Sequence, residues 1–207
     1  MQKRAISKNF FEAKELGENF VGDRRVSHKI SDIRKIETKI DIYEDRVKTW
    51  FLDVARYLTL KNEVKINEEK FDTNEAGFAI LQIAVSYIEG NQLYREGKES
   101  LNNSGNYFIK GLERIFNRKS VNSKKYLGEF YNQVRCGLFH DSMTRKKVTI
   151  NGEFNYKIKL TKDEIKINPY KFLDAVYADF NKYIQLLKNK RNKELRMNFE
   201  KHWLITG

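Results

Sequence analysis

Residues 78–88 read Phe-Ala-Ile-Leu-Gln-Ile-Ala-Val-Ser-Tyr-Ile. Apolar side chains occur at nearly every position, so no single stripe faces the core. A helix of this kind is buried on all sides. At 11 residues it falls well short of the ~20 needed to span a bilayer. The segment therefore predicts the central helix of a mainly α, up-and-down helical bundle. Asp72 and Glu75, three residues apart, resemble a capping box at its start, and Gly90 and Gly97 are expected at its fraying end.

Outward from this helix the pattern stays helical. Ile30, Ile33, Ile36, Ile40, Tyr43, Val47, Phe51, Val54 and Leu58 follow steps of three and four, one stripe of a long amphipathic helix. Asn102–Gly105 reads as a turn and Asn117–Ser123 as a loop. Between and beyond them, Tyr107, Phe108, Leu112, Ile115 and Phe116 form one stripe, and Tyr126, Leu127, Phe130, Tyr131, Val134 and Leu138 form another. The period then changes. Val148, Ile150, Phe154, Tyr156, Ile158 and Leu160 alternate with polar residues around Asn151-Gly152, which predicts a small β-hairpin insertion. Ile165 and Ile167 add a third short strand. Pro169 opens a last helix that extends towards Trp203. The expected organisation is a basic N-terminal arm or short helix over 1–28, then one helical domain over 29–207 with the β insertion at about 147–168.

One proline and eleven glycines in 207 residues suit long helices. Lys and Arg number 40 against 28 Asp and Glu, a formal +12. Such a charge attracts polyanions, nucleic acid first and an anionic membrane surface second. A general richness in Lys, Asn and Ile accounts for it equally well. The single cysteine, Cys136, permits no internal disulfide, and the first eight residues lack the apolar stretch of a signal peptide. Both point to a reducing, cytoplasmic setting. Phosphate-cradling glycine loops, His-Glu-x-x-His and paired cysteines are absent, so neither a metal nor a cofactor is expected.

The stretch that invites chemistry is Phe130-Tyr-Asn-Gln-Val-Arg135-Cys-Gly-Leu-Phe-His140-Asp-Ser-Met-Thr-Arg145. Arginine holds a phosphodiester through paired hydrogen bonds, and histidine exchanges protons near neutral pH. These are two requirements of RNA cleavage without a metal. Spacing alone favours a structural histidine, and Arg196 with His202 fits a similar interval. Glu89 falls on the apolar face of the central helix with Phe78, Leu81 and Val85. A carboxylate there needs a partner, for which Arg135 is the candidate. The alternative is that Glu89 lies past the helix end in solvent. Cys136 reads best as a small buried hydrophobe. Asn132 and Asp141 flank the motif, each able to orient His140. Lys124, Lys125, Arg145, Lys146 and Lys147 form basic clusters at its two ends, suited to an RNA backbone or to an ordinary solvated surface.

Arg135-Cys-Gly-Leu-Phe-His140 resembles the Arg-x4–6-His signature of HEPN (higher eukaryote and prokaryote nucleotide-binding) domains, in the group where it reads Arg-Cys-Gly-Leu-aromatic-His. Ser86-Tyr-Ile-Glu-Gly90, Ser104-Gly-Asn-Tyr-Phe108-Ile-Lys-Gly111-Leu-Glu-Arg-Ile-Phe116 and Ile167-Asn-Pro169 are similar to that group in the same order. The resemblance covers about residues 35–190. It implies a helical bundle that dimerises around paired motifs, with Arg135 and His140 as the catalytic pair of a metal-independent endoribonuclease. It also implies a toxin, phage-defence or RNA-processing role, with RNA and an antitoxin or defence-system partner. Other members are non-catalytic nucleic-acid- or partner-binding modules. Two positions depart from the pattern. Cys136 stands where active members often carry Asn or Asp, and Ser142 stands where tyrosine-modified toxins carry the tyrosine.

Overall fold

In the computed structural model the chain is mainly helical, with a three-stranded sheet inserted ahead of its C-terminal helices. The structure describes residues 34–60, 76–117 and 121–206, and the backbone of six short strands elsewhere. Four of these, β1 (Arg4–Ala5), β2 (Phe10–Ala13), β3 (Glu18–Val21) and β4 (His28–Lys29), pair antiparallel in sequence order, where an arm or a short helix is expected. β5 (Val64–Ile66) and β6 (Glu69–Phe71) form a separate pair.

The first amphipathic stripe becomes α1 (Ile36–Val47), a π-helical turn (Lys48–Leu52) and α2 (Asp53–Tyr57) in one continuous run. Ile30 and Ile33 lie outside the described residues. The π turn changes which side chains are buried. An i→i+5 turn takes one residue more than an α turn, so the inward face advances by one position. Leu52 and Ala55 are buried, while Phe51 and Val54, expected in the core from an unbroken α period, are exposed.

The predicted central helix is α3 (Gly77–Glu96). Ile80, Leu81, Ala84, Val85 and Ile88 are fully buried, although Phe78 at its start is exposed. Asp72 and Glu75 lie outside the described residues. Gly90 is interior to the helix, which ends at Gly97 instead. Gly97 has φ +62°, and a Cβ there would sit 2.9 Å from the backbone of Asn198, so a side chain is excluded on both grounds. α3 packs against α4 (Ser104–Phe116), α6 (Pro169–Lys188) and α7 (Lys193–Thr206). Tyr43 of α1, Tyr87 and Tyr94 of α3, Phe180 and Tyr183 of α6 and Phe199 of α7 form an aromatic cluster between their helices. The expected single last helix is broken at 189–192, where Asn189 takes extended backbone angles and its side chain accepts from the Arg191 N–H.

The β insertion is placed as expected but paired differently. β9 (Ile165–Ile167) lies between β7 (Val148–Ile150), its parallel neighbour, and β8 (Ile158–Leu160), its antiparallel one. No hairpin joins the two sides of Asn151-Gly152. Ile165 and Ile167 are both buried, so their strand takes the middle of the sheet, and Phe154 and Tyr156 stack on each other in the connecting loop. Asn168 locks this arrangement. Its side chain accepts from the Lys171 N–H as the N-cap of α6 and donates to the carbonyls of Gly152 (2.6 Å) and Phe154 (2.9 Å). Among the described residues no helix is long and apolar enough to cross a membrane.

Candidate functional site

The motif sits on a helix that begins as α5 (Val121–Phe130) and continues through two π-helical segments, Tyr131–Arg135 and Gly137–Asp141. Leu127, Phe130, Val134 and Leu138 are buried and fix the rotation of the helix against the core. In α winding, Arg135 and His140 would be turned about 140° apart. The π segments change that. Their bonds close between residues five apart, as from the Cys136 N–H to the Tyr131 carbonyl and from the Ser142 N–H to the Gly137 carbonyl. A five-residue step then covers only slightly more than one turn. The interval between Arg135 and His140 has the same length but runs across the α-helical Cys136 that joins the two segments, so the two positions are turned less far apart than uniform α winding would place them.

Arg135 is held from three directions. One of its terminal nitrogens donates to Glu89 Oε2 at 3.0 Å, with both side chains mostly buried (19% and 15% exposed). The guanidinium carbon lies 4.5 Å from the Phe139 ring centroid and 5.7 Å from that of Tyr131. Glu89 is its one ion-pair partner among the described residues. Glu89 is thus within the helix and paired as the sequence suggests, not past its end.

Cys136 is half-buried and interacts with the Tyr131 hydroxyl. Burial first, then Cys136, raises the Tyr131 phenol above its ordinary pKa, with Arg135 opposing. The helix ends at Ser142, whose φ is 58°, and the chain folds back along it. The Met143 N–H donates to the Gly137 carbonyl and the Arg145 N–H to the Gln133 carbonyl. A Cβ on residue 137 would sit 2.6 Å from the Met143 carbonyl oxygen. Only glycine admits this return between the arginine and the histidine. His140 is exposed beside it.

Family models, curated proteins and solved structures offer no match to this chain. The site is therefore known by its own geometry. Glu89 and Arg135 come together, and His140 is exposed five residues further along the helix. Asp141 is engaged by Arg145 Nε at 2.7 Å rather than directed at His140, and Asn132 is exposed. Lys124, Lys125, Arg145, Lys146 and Lys147 are all exposed, before and after the motif. In the second Arg/His interval both side chains are engaged elsewhere. Arg196 donates to the Leu187 carbonyl and to Glu37, while His202 Nδ1 lies 2.7 Å from the Lys98 carbonyl oxygen. Phe139 enters the sequence reading only as the aromatic of the motif, not as the cover of the arginine. Its position four residues after Arg135 is the signal that could have found it.

Proposed function

We propose that this chain is an HEPN-type, metal-independent endoribonuclease that cleaves RNA through the 2′-OH, with Arg135 and His140 as the catalytic pair. The supporting observation is the Glu89–Arg135 ion pair, which fixes a guanidinium on the same helix as an exposed imidazole five residues on. In this reading a histidine takes the 2′-OH proton, the oxygen attacks phosphorus, and the 5′-oxygen leaves with a proton from a second histidine. A 2′,3′-cyclic phosphate remains. Arg135, always protonated, neutralises charge on the phosphorane. The second histidine comes from another copy of the chain, in a homodimer whose two motifs meet near the two-fold axis. The exposed Phe139 and Met143 beside His140 suit such an interface. Lys124, Lys125, Arg145, Lys146 and Lys147 track the RNA backbone. A toxin, defence or RNA-processing role, with an antitoxin or similar partner, follows from the family resemblance.

The deciding experiment is incubation of purified protein with a mixed RNA pool, with and without EDTA. Cleavage that survives EDTA is expected; its complete loss in EDTA overturns the reading. A second reading is favoured by the burial of Arg135. A guanidinium this enclosed also suits a structural ion pair in a module that binds RNA without cutting it. Salt-sensitive binding with no cleavage at any protein concentration would select that module.

A further inference from the structure

A second polar cluster lies among α3, α4 and α6 and shares no side chain with the Arg135–His140 site. Asp179 carries two arginines. Arg114 Nη1 bonds one carboxylate oxygen, Arg95 Nη2 lies 3.5 Å from the same oxygen, and the Tyr87 hydroxyl donates to the other at 3.0 Å. Arg95 and Arg114 also both donate to Asn91 Oδ1, at 2.8 and 3.2 Å. The side chains of Arg95, Arg114 and Asp179 are 13%, 25% and 10% exposed. Two permanent cations thus share one carboxylate largely away from water, with Arg95 also over the Tyr183 ring at 4.2 Å and Arg114 Nε donating to Gln92 Oε1 at 3.3 Å, so the cluster keeps a net positive charge. Burial, and then the neighbouring Arg114, lowers the Arg95 pKa, the direction this crowding requires.

The cluster forms part of the wall of a cavity of about 480 Å³ whose rim carries Lys157 and Lys182 and whose apolar lining includes Ile115 and Leu186. Both lysines are exposed, and neither has a carboxylate partner among the described residues. The lining therefore sets four cations against one carboxylate. The volume falls within the usual range for small-ligand pockets.

We propose that this cavity binds a small molecule carrying a terminal di- or triphosphate, with Arg95 and Arg114 on the inner phosphate, Lys157 and Lys182 on the outer one, and the apolar wall against the organic body. A chain terminus is required because the arginines are recessed. A terminal phosphate can enter end-on, whereas a phosphate within an RNA strand is flanked by sugars on both sides and stays at the rim. Bidentate guanidinium contacts and lysine point charges are the usual means of holding such groups.

Isothermal titration of the full chain with inorganic pyrophosphate at low salt tests this. One saturable site per chain is expected. Lys157→Gln with Lys182→Gln, both at exposed positions, should weaken it at least tenfold while the melting curve stays unchanged, and His140→Ala should bind as the wild type does. The proposal is overturned by no saturation at millimolar pyrophosphate, or by equal affinity in the double variant. It is also overturned if single-stranded RNA displaces pyrophosphate and loses affinity by the same factor in the double variant, which assigns the cavity to RNA. None of these readouts involves cleavage, so the result stands apart from the nuclease reading.

Discussion

Glu89 and Arg135, 46 residues apart in sequence, meet at 3.0 Å between the central helix and the motif helix. Each is mostly buried, so removing either leaves the other poorly solvated. Glu89→Gln should destabilise the fold by about 1–3 kcal/mol in urea unfolding. Glu89→Gln with Arg135→Gln should cost less than the sum of the single changes. Strict additivity in that double-mutant cycle would show that the two side chains are not coupled.

His140 is exposed and outside the core, so its loss should leave folding intact. We expect His140→Ala to lower cleavage by about a hundred- to ten-thousandfold, the usual cost of a general acid or base, with RNA binding retained. Arg135→Ala should weaken both binding and cleavage. Wild-type products should end in a 2′,3′-cyclic phosphate, and a substrate with one 2′-deoxy residue at the cut site should resist. Full activity in His140→Ala defeats this assignment.

Met143 is exposed in the bend that folds back over Gly137, so a charge there should oppose pairing of two motifs without touching the core. Light scattering at micromolar concentration should give twice the 24.7 kDa chain mass for the wild type. Met143→Glu should shift it towards the monomer and reduce cleavage in step. A wild-type monomer at every concentration rules out the paired site.

Asn168 serves two elements at once, capping α6 and holding the carbonyls of Gly152 and Phe154. Asn168→Ala should cost about 1–3 kcal/mol by chemical denaturation. Asn168→Asp keeps the acceptor for the cap but loses both donors, so it should be destabilised as well. An Asp variant as stable as wild type would show that only the cap matters.

His202 is buried, and burial holds its pKa below the ordinary value of about 6.5, against the opposing Lys98 carbonyl. The unfolded chain therefore takes up this proton first. The contribution of His202 is complete above about pH 6.5 and is lost as pH falls through the lower folded value. The melting-temperature advantage of the wild type over His202→Gln should therefore shrink between pH 7.5 and 5. A constant difference across that range contradicts the assignment.

The helical class was legible because most apolar side chains of residues 78–88 are buried, Phe78 apart, and the stripes after them hold the core residues Phe108, Leu112, Leu127, Phe130 and Val134. Glu89 was legible as a carboxylate on an apolar face. The errors have particular causes. A π turn at Lys48–Leu52 moved burial from Phe51 and Val54 to Leu52 and Ala55, a one-residue shift that no α period contains. Asn151-Gly152 carried a true turn signal, but strand order was decided by the burial of Ile165 and Ile167, which lie beyond it. The Arg95–Arg114–Asp179 cluster was invisible because its members come from three helices and have no shared spacing.

The two π segments of the motif helix also bear on how such a site tolerates change. A helix able to bond over four or five residues can take up an added or lost residue by changing its winding, without carrying its buried face out of the core. Distance counted in residues is then a poor ruler for the angle between Arg135 and His140. Insertions or deletions between them would register first as a change of pitch, and only afterwards as a misplaced side chain.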